Sequence, residues 1–341
     1  MKNLFNKSVR KSFNKPPTIK TMAACALALF ATGICGLANA QTKLKWAHVY
    51  ETSEPYHKQA LWAADEVKKR TNGRYEIQVF PASSLGSETE INQGLTLGTV
   101  DVIYTGQAFA AREYPPLAIG GAPFMFRDYS HWQKYSQSQV LQELMDNYFK
   151  KAGNRPLAVT YYGVRHTTAN KAINKPEDMA GMKLRVPPAP LYTMYPKVVG
   201  ANATPIAFAE VYLALQNKTV DGQENPLPTI EAKKFYEVQS HISLTGHITE
   251  MLLTIVGGQA WGKLSDADKK TFEAVFKEAG QKATDDIVAA EAKLVDDFTT
   301  KYKKIVVKSD RAAFSQVFQK FHLGPDATWD KALYDKVQAI R

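Results

Sequence analysis

The chain has 341 residues, with 43 basic against 33 acidic side chains, 45% hydrophobic residues and two cysteines. Six of the basic residues, Lys2, Lys7, Arg10, Lys11, Lys15 and Lys20, precede any acidic residue. Without the first 40 residues the balance falls from +10 to +4 (37 basic, 33 acidic), so the overall basicity gives no reason to expect a nucleic-acid partner.

Taken in chain order, the basic leader is followed by an apolar run from Met22 to Ala38 and by Ala38-Asn39-Ala40, the small-x-small pattern of a signal-peptidase site. The run is rich in Ala and Gly and short for an anchor. Residues 1–40 are therefore expected to be a signal peptide, with cleavage after Ala40 and export. A twin-arginine signal does not fit, because Lys11 follows Arg10. A lipoprotein signal does not fit either, because Ile34 precedes Cys35. Both cysteines, Cys25 and Cys35, leave with this segment. The remaining 301 residues would then hold no disulfide, no thiolate metal site and no cysteine nucleophile. That length suffices for a core-dependent fold of two domains.

Lys43 to Val49 alternates and reads as a strand, and Glu54 to Thr71 as a helix with Leu61, Ala64 and Val67 at helical spacing, stopped by Asn72-Gly73. Arg74 to Phe80 is a second strand, Glu88 to Leu97 a second helix and Val100 to Tyr104 a third strand. This β-α-β-α-β order predicts an α/β layer with a largely parallel sheet. Leu157–Tyr162 and Lys183–Val186 are further strand candidates, and Phe208 to Gln216 is a short amphipathic helix. Ser265 and Asp268 open a helical run reaching towards Lys303, interrupted by Gly280. A helix of that length is expected to brace two lobes.

Catalytic and metal signatures are absent: no phosphate-binding loop, glycine fingerprint, H-E-x-x-H or G-x-S-x-G. His241 and His247 do not match common zinc spacing. Asp101 with Glu113, and Asp221 with Glu224, read better as loop or turn-cap carboxylates than as catalytic pairs. No catalytic residue, metal or cofactor is expected. Aromatics such as Tyr50, Tyr104, Tyr162, Tyr192 and Phe208 gather near predicted strand ends, where most pack the core and a few can wall a ligand cleft.

The segments "VRHTTANKAINKPEDMAGMKLRVP" and "NATPIAFAEVYLALQNKTVDGQENP", spanning Val164 to Pro226, carry more information. They resemble the solute-binding subunits of tripartite ATP-independent periplasmic (TRAP) transporters, of the dicarboxylate-binding type. Supporting matches are "LKWAHVYETSEPYH", "YEIQVFPASSLGSETEINQGLTLGTVDV" and "APFMFRDYSHWQK". The resemblance implies a two-lobed α/β periplasmic-binding-protein architecture with a ligand cleft between the lobes. The expected division is 41–162 plus about 251–290 for lobe I and 163–250 plus about 291–341 for lobe II. It also implies a monomeric periplasmic receptor, not an enzyme, that closes on a small organic-acid anion. The receptor would hand that ligand to the small and large membrane subunits of a sodium-driven transporter.

On the family motifs, Arg185 in "KLRVP" matches the arginine that grips the ligand carboxylate, and Arg165 in "VRHTTAN" a second arginine of the site. Asn225 in "DGQENP" matches a ligand-reaching amide, and Phe208 in "AFAEVY" a packing aromatic. Two departures weaken a sialic-acid ligand: Pro188 replaces an asparagine and Gly106 an acidic residue of sialic-acid-binding relatives. Tyr104, Gln107, Tyr192 and Glu51 are candidates to replace those contacts. A guanidinium suits the task because its rigid fork matches a carboxylate, whereas a lysine supplies a point charge. The rival readings are a ligand-loaded receptor for a periplasmic sensor and a periplasmic hydrolase of an anionic substrate.

Overall fold

The computed structural model describes residues 41–341, and the expected signal peptide lies outside the described residues. Strand β1 (Thr42–Ala47) buries Leu44 and Trp46 and exposes Lys43 and Lys45, as its alternation requires. Helix α1 (Pro55–Arg70) starts with proline at its first turn and places Lys68, Lys69 and Arg70 at its negative C-terminal end. Its buried face is formed by Tyr56, Ala60, Ala63, Ala64 and Val67, whereas Leu61 is exposed. Small alanines let the helix lie close to the sheet, a role that a reading based on large apolar residues misses. After β2 (Tyr75–Phe80), helix α2 (Glu88–Leu97) opens with a Ser87–Glu90 capping box and leads into β3 (Val102–Gly106), all of it buried.

The remaining strands are β4 (Arg155–Ala169), β5 (Lys183–Val186), β6 (Asn202–Pro205), β7 (Gly222–Pro226), β8 (His241–Val256) and β9 (Ile305–Val307). They form one sheet of order β2-β1-β3-β8-β4-β7-β5-β6, with β9 also on β8. The parallel arrangement expected from sequence holds for β1 with β2 and β3, and for β5 with β6 and β7. The centre is antiparallel instead, because β8 turns back between β3 and β4, and β7 runs against β4. Leu157–Tyr162 is only the first part of β4, which continues through Arg165 to Ala169.

Strands β4 and β8 are the longest in the sheet and lie side by side at its centre. The C-terminal part of β8 pairs with β3, and its N-terminal part with β9. Between these parts the β4–β8 register slips, at Tyr161/Gly163 and again at Arg165/Thr167. Gly163 sits opposite Glu250 at the first slip.

The long C-terminal run is helix α3 (Asp266–Thr300), capped by Ser265, whose Oγ accepts the Asp268 N–H at 3.1 Å. It supplies Phe272, Phe276, Ala279, Ala283 and Ile287 to the main core. Two turns further on it supplies Leu294 and Phe298 to a second core around Val211, Leu215, Ile230 and Phe235. A fully buried phenylalanine contributes roughly 1.5–3 kcal/mol over an exposed one, so tertiary burial rather than propensity holds the helix. Gly280 is no weakness here: a Cβ in its place would lie 3.0 Å from the Val159 carbonyl, so glycine allows α3 to approach β4. Thr284 Oγ1 accepts the Tyr161 N–H at 3.0 Å, and Glu291 accepts the Val164 N–H and the Tyr161 hydroxyl, each at 2.7 Å. The helix thus clamps the slipped part of β4.

Candidate functional site

Strand β5 is short and flanked on both sides by parallel neighbours, so after the exposed Lys183 it buries Leu184, Arg185 and Val186. Arg185 is 1% exposed, and the solvent-facing position that a bare strand pattern allows it is not the one it takes. Its Nε and Nη2 both donate to the Ile206 carbonyl, at 3.0 and 2.8 Å. Its Nη1 has no hydrogen-bond partner among the described residues. Burial lowers the guanidinium pKa to about 10, partly offset by the charge of Glu224, so the group remains a cation at neutral pH. A buried cation with one edge fixed to the backbone and the other unmatched is a site prepared for an anion.

Arg165 reaches the same cavity from β4 but is already matched. Its Nη2 donates to Glu224 Oε1 at 2.7 Å and to the Glu224 carbonyl at 2.8 Å, its Nε donates to Glu224 Oε2, and its Nη1 donates to Glu250 Oε2 at 2.6 Å. Despite complete burial, these two carboxylates hold its pKa above the usual arginine value. Arg165 in turn counters the desolvation of Glu224 and holds that carboxyl at about 2. His247 Nε2 lies 3.1 Å from Glu224 Oε2, and its ring stacks on Tyr195 at 3.8 Å. Glu224 is 1% exposed, which corrects its sequence reading as a turn or loop carboxylate. Asp101 and Asp221 do hold backbone N–H groups, those of Lys45 and Lys183, each at 2.8 Å.

Arg185 and Arg165 line one cavity of about 30 Å³ together with Phe208, Asn225, Tyr192 and Pro188. Tyr192 donates its hydroxyl to Glu250 Oε1, and Asn225 donates to Gln223 Oε1 at 2.6 Å. Phe208 is half-buried, with the Lys233 ammonium 5.2 Å from its ring centre. The other three candidates lie elsewhere. Tyr104 packs on Trp46 at 4.9 Å inside the core, and Gln107 is fully buried against Gly120. Glu51 pairs with Lys233 at 2.7 Å, and none of these three lines the cavity.

Two carboxylates that sequence reading did not propose complete the lining, Glu88 and Glu250. Both converge on Gly106: a Cβ there would lie 3.2 Å from Glu250 Oε1, 3.8 Å from Glu88 Oε1 and 2.9 Å from the Tyr192 hydroxyl. Gly106 carries no side chain, and the space beside it holds carboxylates from α2 and β8. Glu88 Oε1 accepts the Gly106 N–H at 2.7 Å and the Thr105 hydroxyl at 2.9 Å. Burial nevertheless pushes Glu88 up to about 7 and raises Glu250 as well. The departure at Gly106 was the available signal, but it does not say which distant strand or helix fills the space. Among the described residues no cluster of potential metal ligands is present, and no helix is long and apolar enough to cross a membrane.

Known proteins resemble this chain over most of its length. The sialic acid-binding periplasmic protein SiaP of Vibrio cholerae is 32% identical over 322 residues, covering 94% of this chain and all of the relative. A TRAP periplasmic solute-binding protein from a Polaromonas species, solved bound to D-erythronate, is 34% identical with a TM-score of 0.84. That alignment covers 88% of this chain and 99% of the other. A TRAP solute-binding protein from Sulfurospirillum deleyianum, solved with bound succinate, is 28% identical with a TM-score of 0.81 and covers 89% of this chain and all of that one. Such proteins are solute receptors rather than enzymes. Residues 46–324 match the family described as bacterial extracellular solute-binding protein, family 7, and the chain belongs to it as a solute-binding subunit of a TRAP transporter with a two-lobed α/β fold.

Proposed function

We propose that this receptor binds a small organic-acid anion through Arg185 and delivers it to a sodium-driven TRAP membrane complex. The supporting observation is Arg185, a buried guanidinium whose Nη1 has no partner among the described residues and which lines a cavity shared with residues from both halves of the sheet. The ligand carboxylate completes that guanidinium. Asn225, Phe208 and Tyr192 bound the ligand, and Arg165 sets the wall behind it. Residues 41–162 with about 251–290, and 163–250 with about 291–341, act as lobes that close on the ligand by bending at the slipped β4–β8 register. The working form is a periplasmic monomer from which residues 1–40 have been removed.

A thermal-shift screen of the exported protein against organic acids tests the reading, because a ligand that binds the native state alone raises the melting temperature. Carboxylates should raise it, and Arg185→Ala should abolish the shift. A response to neutral sugars with none to any carboxylate would overturn the assignment. Size-exclusion chromatography and the N-terminal sequence of the exported protein check the monomer and the cleavage after Ala40.

A further inference from the structure

We infer that the cleft selects monocarboxylates whose far end carries hydroxyl groups, and rejects dicarboxylates of the same length. The inference rests on Arg185 as the carboxylate anchor and concerns what lies beyond it. Among the described residues lining the cavity, the cations are Arg165 and Arg185. Arg165 is shared between Glu224 and Glu250, so that group already carries one excess negative charge. Arg185 matches a single ligand carboxylate. Glu88 is then left as a further carboxyl with no cation of its own, beside Glu250 at the Gly106 end of the cavity.

The groups facing Glu88 are Thr105 and Gly106 from β3, Glu250 from β8, Arg165 from β4, Tyr192 from the turn after β5 and Tyr50 from the loop after β1. None offers a second carboxylate an unmatched positive charge. By contrast, the titratable groups that bear on Arg185 are Glu224, Arg165, Tyr162 and Tyr192, and neither of the two carboxylates near Gly106 is among them. Hydroxyl groups placed there donate to carboxylate oxygens, whereas a carboxylate there meets like charge in a dry cavity. Protonation of Glu88, whose pKa stands at about 7, lifts part of that repulsion.

The test compares four-carbon and six-carbon aldonates with the aldarates that differ from them by a terminal carboxylate in place of the hydroxymethyl group. Titration calorimetry of the exported protein is run at pH 8 and pH 6, where the aldarates stay fully ionised. The tightest aldonate should bind at least about tenfold better than its aldarate at pH 8. The aldarate should gain affinity at pH 6, and Glu88→Gln, which keeps the side chain's size, should narrow the gap and remove that gain. Glu250→Gln provides a second variant should Glu88→Gln fold poorly. An aldarate that binds wild type at pH 8 as well as its aldonate would overturn the inference, and so would a gap unchanged in both variants. If binding then still requires Arg185, the anchor reading survives alone. If no carboxylate binds, both fall.

Discussion

Arg185 and Arg165 are equally buried, yet they serve opposite ends. Arg185 is held in an unfavourable setting, with one edge unmatched among the described residues, and its burial costs stability while that edge stays unmatched. Arg185→Met, which removes the charge and keeps much of the volume, should leave the unliganded protein at least as stable as wild type while abolishing the ligand-induced rise in melting temperature. Arg165 is structural cement for Glu224 and Glu250. Arg165→Ala strands two buried carboxylates and should cost about 3–5 kcal/mol in denaturant unfolding, with or without ligand. A loss of binding in the Arg165 variant with unchanged stability would reverse these roles. Arg185 could be singled out from sequence because its motif lies within a few residues. Glu88 and Glu250 could not, because they meet at Gly106 from α2 and β8 and share no motif. Glu224 was read as a loop or turn-cap carboxylate because sequence spacing does not show that the Arg165 guanidinium reaches it from the neighbouring strand.

At the level of elements, Glu51 matters by another route than ligand contact. Its carboxylate pairs with Lys233, which follows the helix Leu227–Ala232, at 2.7 Å. Beside it, the buried Glu54 accepts the Thr229 hydroxyl at 2.8 Å. These bonds join the loop after β1 to the helix after β7, on the two sides of the cavity. A pair only partly screened from solvent is worth on the order of 1 kcal/mol. Lys233→Ala should therefore weaken ligand affinity severalfold, chiefly through faster dissociation, without a measurable change in secondary structure. Unaltered dissociation in stopped-flow measurements would remove Glu51 and Lys233 from the closing contacts. The individual helices and strands near the start of the chain were readable because their periodicity is local. The antiparallel centre was not, because β8 enters from residues far along the chain and carries no alternation, being buried on both faces.

For the whole molecule, the buried titratable groups predict an unusual pH profile. Glu54, Glu88 and Glu291 are each raised to about 7 by burial, so the native state holds protons that the unfolded chain releases. Their effect lowers stability as pH rises from the ordinary glutamate range through 7. His48 and His166 are lowered to about 3, and Glu224 to about 2. For the histidines the unfolded chain takes up protons below about 6.5, so stability is lost on acidification, and Glu224 adds to the loss below the ordinary glutamate value. The melting temperature of the unliganded protein should peak between about pH 5 and 6 and fall on both sides. The triple variant Glu54→Gln, Glu88→Gln, Glu291→Gln should flatten the alkaline limb. An alkaline limb that persists in that variant would mean that other groups set it.

Because β4 and β8 are the central strands that join both halves of the sheet, and α3 fills both cores, no cut through the chain yields two pieces that each keep a complete interior. Recombination between relatives therefore cannot trade one side of the cleft as a cassette. On the function proposed above, a new specificity is acquired by substitutions around Gly106 and Arg185 within an undivided frame, so that one scaffold diversifies its cargo while keeping its outer surface.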